Sequence, residues 1–194
     1  MRFTLSKIEI AVGYEAVAAL AMVLLLDHSG RTVSCLIAAA LHESGHLLMM
    51  LLRSCHIRRI TVRLFDVQIL SDEPKSRRDD LLITAMGVIT NFLSAGIFSL
   101  FWRRLALSNL VIGVFNLLPI GSLDGGHLMR LLLSGRMSYR AVDRIEKILS
   151  FVFLIPFFFL GIFVLLRTKY NYSLLAVSLY LLAVLLLKRE FVSC

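Results

Sequence analysis

Long apolar runs separated by short polar breaks dominate the pattern of this chain. Six of them approach the roughly 20 residues that a helix needs to cross a hydrocarbon core: Ile10–Leu26, Thr32–Leu52, Leu81–Trp102, Leu105–Leu133, Ile148–Leu166 and Tyr172–Leu187. The pattern predicts an all-α polytopic membrane protein of about six transmembrane helices. The fourth run is too long for a plain span and is interrupted by PIGSLDGG at Pro119–Gly126, so this fourth helix is expected to be broken. Irregular backbone at membrane depth survives only where protein or a watery cavity satisfies its polar groups. The break is therefore a candidate functional element.

Between the second and third runs the period shortens. Ile60, Val62 and Leu64 alternate with Thr61 and Arg63, and Val67 and Ile69 resume the alternation one register later. Alternation of this kind signals a strand. The register change near Asp66 predicts a small cytoplasmic-side β-hairpin or a bulge over about residues 57–70, followed by a polar turn. Arg2 and Lys7 ahead of the first run imitate a signal peptide, but LLLDHSGR at the end of that run lacks a small-x-small cleavage site. The run is read as a retained first span. No internal repeat, low-complexity tract or appended soluble domain is visible, so a single membrane-embedded domain over residues 1–194 is expected.

Composition strengthens the membrane reading: 58% of residues are hydrophobic, far above a soluble average. The net charge of +8 is not a nucleic-acid footprint, because no basic stripe is interleaved with aromatics. It follows the membrane instead. With the N-terminus inside, 16 Lys and Arg fall on the cytoplasmic side and 5 outside. This bias predicts cytoplasmic N- and C-termini. Cys35, Cys55 and Cys194 are an odd number at unrelated spacings, and imply neither a disulfide framework nor a thiolate metal site.

The candidate chemistry sits inside the second run, at His42-Glu43-Ser44-Gly45-His46. Histidines four apart share one helix face. Two imidazoles so placed suit one zinc ion, with Glu43 beside them as a general base. Burying these three side chains in lipid without partners is costly, which disfavours a mere packing role. A catalytic zinc site needs a third protein ligand. His28 and His56 lie in loops at the wrong depth, and Glu15 reads as an interfacial residue. Asp124 and His127 lie in the broken fourth run, at a depth that topology makes similar to that of His46. Both residue types suit zinc, and spacing leaves the choice between them open.

Taken together, HESGH, GVITN at Gly87–Asn91 and FNLLPIGSLDGGH at Phe115–His127 resemble the site-2 protease family of intramembrane zinc metalloproteases. The likeness covers roughly residues 32–133, leaving 10–26, 148–166 and 172–187 as extra spans. It implies that His42, His46 and Asp124 hold one Zn2+ per chain, Asp124 being favoured over His127, and that Glu43 is the catalytic base. Asn116 and Asn91 match family asparagines associated with substrate binding, and the hairpin near 57–70 matches a substrate-presenting element. Two positions depart from the family pattern. Gly-Pro-x-x-Asn is here Gly87-Val88-Ile89-Thr90-Asn91, and Gly121-Ser122 stands where a second proline is common.

The implied reaction is hydrolysis of a peptide bond in or near the membrane segment of a protein substrate, with the active site toward the cytoplasmic side. Size, six spans and the lack of a PDZ insertion resemble the branch of the stage IV sporulation membrane protease, which releases a membrane-tethered sigma factor from its pro-sequence. No CBS domain is expected here. The likeness leaves room for an inhibitory membrane protein as a partner, beside the substrate and the lipid bilayer. An inactive membrane scaffold or metal-binding regulator is the alternative, but a pure metal holder has no need of Glu43. A transporter is disfavoured, because no inverted repeat accompanies the single broken span. The Phe-rich run near Pro156 is read as lipid-facing, and RMSYRAVDRIEK at Arg136–Lys147 as a solvated amphipathic connector in preference to a docking site for a partner or anionic lipid.

Overall fold

The computed structural model describes residues 2–5, 8–14, 17–18, 20–21, 27, 30–62, 67–71, 76–169 and 173–187. It divides into two compact units, Met1–Phe115 and Asn116–Cys194.

In the first unit, strands β1 (Arg2–Leu5), β2 (Ile8–Val12), β3 (Ile57–Val62) and β4 (Val67–Ser71) form one sheet in that order. The outer pairs are antiparallel and the central pair, β2 with β3, is parallel. The expected hairpin is present as β3–β4, with a register irregularity between Ile57 and Arg59. The expected register change near Asp66 lies outside the described residues, as do Glu15 and His28.

The strands β1 and β2 correct the sequence reading. Ile10–Val12, assigned to the start of the first span, instead pair with Ile60–Val62. Beyond them, Tyr14, Val17, Ala18, Leu20 and Ala21 are helical. The alternation at Ile8–Val12 is short and merges with the apolar run that follows, so period alone does not separate strand from span. Its partner strand is remote in sequence. The pairing is reinforced across the sheet, where the Nε and Nη2 of Arg59 donate to Glu9 Oε2 at 2.9 and 2.6 Å.

Helices α1 (Arg31–Leu52) and α2 (Arg77–Phe98) pack against each other in antiparallel fashion. At their shared end, Ser76 caps α2 by accepting from the Asp79 N–H at 3.1 Å. Asp79 in turn pairs with Arg53 just past α1, at 3.3 Å. A further helix of this unit, α3, runs Arg103–Asn116, its last residue falling past the unit boundary.

The second unit holds α4 (Asp124–Ser134), α5 (Tyr139–Thr168) and α6 (Ser173–Leu187), with α5 packed on both neighbours. Helices α1, α2 and α5 are long and apolar enough to cross a membrane. The broken fourth span is realised as α3 and α4, 14 and 11 residues long, with Leu117–Leu123 non-helical between them. Neither piece alone reaches the length of a span.

Candidate metal centre

His42 and His46 fall one turn apart in the middle of α1, so their rings stack along one face, centroids 4.8 Å apart and edge to face. Close packing of α1 on α2 is what fixes them. A Cβ at Gly45 would collide with Thr90 and with the Met86 carbonyl of α2, and one at Gly87 would run into both imidazoles. Gly45 of HESGH thus lets the two helices approach closely, and Gly87 of GVITN lets the α2 backbone rest against the rings of α1.

Each ring is then oriented through its Nδ1. The Nδ1 of His46 lies 2.8 Å from the Ile83 carbonyl, which can only accept, so this nitrogen carries the proton. The Nδ1 of His42 lies 2.7 Å from Asn91 Oδ1. The orientation of Asn91 is set by its own donors, since Nδ2 donates to Ala38 O at 3.3 Å and to Asn109 Oδ1 at 3.2 Å. Asn109 is anchored in turn by Nδ2 donating to Leu105 O at 2.9 Å. Both asparagines are 0% exposed. The relay from the Leu105 carbonyl assigns the proton of His42 to Nδ1 as well.

Both Nε2 atoms are therefore the acceptor nitrogens of their rings, and they stand 3.2 Å apart. Two imidazole acceptors on one helix face at that separation make a donor set that fits a metal ion. Glu43 follows His42 in the same turn and is half-buried.

Asp124 opens α4, where a carboxylate suits the positive end of the helix dipole. The chain reaches it through a compact linker. Ile120 is fully buried, its N–H donates to Leu118 O at 2.7 Å, and the Leu123 N–H donates to Ile120 O at 2.8 Å. The linker lies directly over the first turn of α4: Cβ atoms at Gly125 and Gly126 would strike the carbonyl oxygens of Leu117 and Ile120. From the other side α5 pins it. Ser150 Oγ accepts the Gly121 N–H at 3.0 Å, and the Glu146 carboxylate presses on Gly121 while accepting from Arg130 Nε at 2.6 Å. Ser150 and Glu146 are 0% and 5% exposed.

Of the ligands expected from the sequence, His42 and His46 lie in the first unit and Asp124 opens α4 in the second. His127, the rival ligand, is exposed in the first turn of α4, and His56 is exposed in the connection after α1. Asn116 is half-buried at the end of α3. Asn91, expected against substrate, is enclosed and spends its amide on His42, Ala38 and Asn109.

Sequence reasoning missed Asn109, Glu146 and Ser150. The last two had a legible signal. They fall on the same four-residue stripe of α5 as Val142 and Leu154, so polar residues occupy positions that the period assigns to the buried face.

A sequence model described as peptidase family M50 matches residues 94–160. That stretch contains the linker and Asp124 and leaves the histidine pair outside. The solved structure titled "Site-2 Protease from Methanocaldococcus jannaschii" superposes with a TM-score of 0.67 at 21% identity, covering 93% of this chain and 91% of that one. The chain shares the fold of that site-2 protease along nearly its whole length. The M50 match and the apolar helices support an integral membrane metalloprotease. No curated protein matches it closely enough to report.

Proposed function

We propose that residues 1–194 act as one membrane-embedded zinc metalloprotease that cuts a peptide bond in or near the membrane segment of a protein substrate. The observation that carries this reading is the pair of Nε2 acceptors on His42 and His46, 3.2 Å apart with both Nδ1 atoms engaged. His42, His46 and Asp124 would hold one zinc ion. When bound, zinc supplies a Lewis acid that brings water into the range of a usable nucleophile at neutral pH.

Glu43 receives the proton of that water and delivers it to the leaving amine, work that contributes about 10²–10⁴-fold to rate. Asn116 is assigned to the developing oxyanion, where a well-placed donor contributes roughly 3–4 kcal/mol. Asn91 is assigned to hold His42, in place of a substrate contact. Scission requires an extended peptide, because helical carbonyls are already paired. β4 ends the strand order of the sheet and offers an edge on which a substrate strand can add. Substrates with helix-breaking residues near the cut are therefore favoured.

The termini and the active site are assigned to the cytoplasmic side on the Lys and Arg distribution. On the resemblance to the sporulation branch, a membrane-tethered pro-sigma factor is the proposed substrate, and an inhibitory membrane protein a fitting partner.

The test is zinc content of the detergent-purified protein, compared with Asp124→Ala, His127→Ala and Glu43→Gln. About one zinc per chain, lost in Asp124→Ala but retained in the other two, supports the site; Glu43→Gln then loses cleavage alone. Zinc retained without Asp124 moves the third ligand elsewhere. A folded wild type that takes up no zinc returns the chain to the scaffold reading.

A further inference from the structure

The geometry points to a binding site for one anionic phospholipid on the second unit, between the amphipathic start of α5 and the end of α6. A groove of about 490 Å³ runs there, lined by Arg140, Asp143, Arg144, Lys147, Ile148, Phe151 and Leu185 beside Tyr139. Its charged and apolar parts are segregated. Arg140, Arg144 and Lys147 recur at four- and three-residue spacing, so they share one face of α5. Lys147 satisfies Asp143 at 2.6 Å, which leaves Arg140 and Arg144, both exposed, as the cationic excess.

The boundary between the two parts coincides with a bilayer boundary. After Lys147, α5 carries no Asp, Glu, Lys or Arg until Arg167, and Ile148–Leu166 rises about 28 Å as helix. That length matches a hydrocarbon core of about 30 Å. The cations of the groove therefore stand at headgroup level, while Ile148, Phe151 and Leu185 continue its wall into the acyl region. A bound molecule must be anionic at one end and apolar at the other. On the charge distribution this end of α5 faces the cytoplasmic leaflet, where anionic lipids attract basic residues by about fivefold in affinity each. The sequence reading of Arg136–Lys147 as a plain solvated connector gives way here to the docking site it ranked second.

The test is native mass spectrometry of the full chain titrated with phosphatidylglycerol, with phosphatidylcholine and inorganic phosphate as comparison arms. Wild type is expected to retain one phosphatidylglycerol in preference to phosphatidylcholine, undisturbed by phosphate. Arg140→Gln/Arg144→Gln should bind it about thirtyfold more weakly. Arg103→Gln/Arg104→Gln, an equal charge loss at exposed positions that open α3, should bind as wild type does. Unchanged affinity in the first double variant, equal weakening in both, or full displacement by inorganic phosphate would each overturn the site.

Discussion

In the unit that carries His42 and His46, each ring is held by a hydrogen bond to its Nδ1 and by a neighbouring helix whose Gly87 leaves no room for a Cβ. In the unit that carries Asp124, the carboxylate opens a short helix, and an unwound linker pinned to α5 leads into it. One half uses regular helices and adjusts the ring. The other uses irregular backbone and must first stabilise the chain itself. The contrast follows from the side chains. An imidazole has a second nitrogen through which packing sets its direction, whereas a short aspartate points wherever its backbone points. Damage to the histidine half should accordingly appear first in metal affinity, and damage to the aspartate half first in stability.

The largest effect is expected from Gly87→Ala. The added methyl meets both imidazoles, so zinc retention should vanish, with an overpacking cost of about 1–3 kcal/mol. Zinc content and thermal unfolding in detergent measure the two together. A variant that binds zinc normally would show that the rings are not held by this contact.

Glu146→Ala comes next. It removes the carboxylate partner of Arg130, whose side chain is only 30% exposed, and about 3 kcal/mol of stability should be lost. Adding Arg130→Met should restore most of it, because an apolar replacement removes the uncompensated charge. A Glu146→Ala protein of undiminished stability would break the comparison from the aspartate side.

Asn91→Ala frees the Nδ1 of His42, and zinc affinity should fall about 10–100-fold, as expected when the outer partner of a metal-binding histidine is removed. Competition with a chelator reads this directly. A stability loss without weaker zinc binding would make Asn91 a packing residue only. Asn109→Ala should do least, a few-fold in zinc affinity, since Asn91 keeps its second acceptor at Ala38 O. Equal effects of the two asparagine variants would show that the relay acts as one rigid unit.

The parts of the fold that could be read in advance share a short reach along the chain. Spans appear as windows of hydropathy, the stacking of His42 on His46 follows from a spacing of four, and Pro119 with its glycines marks the interruption of the fourth run. The β3–β4 hairpin shows in its alternation. The strands β1 and β2 did not, because Ile8–Val12 has too few alternating positions to outweigh the apolar run that absorbs it. Asn91 was read as a substrate-binding residue, and its contact with His42 could not be read, since a side chain amide reads the same whether it faces a peptide or a histidine.

By itself, then, the sequence determined a polytopic helical chain with two histidines on one helix face and an aspartate in a broken helix. Each of these is a property of neighbours within one or two turns. Only the tertiary structure decided that Asn91 meets His42 across 49 positions, that Asn109 stands behind it, and that Glu146 and Ser150 hold Gly121. Such contacts depend on which faces of α1, α2 and α3 turn toward one another in the first unit, and which face of α5 turns toward the linker in the second. That choice is made by the packing of whole helices, where a missing Cβ at Gly45 or Gly87 sets the approach and no local period records it.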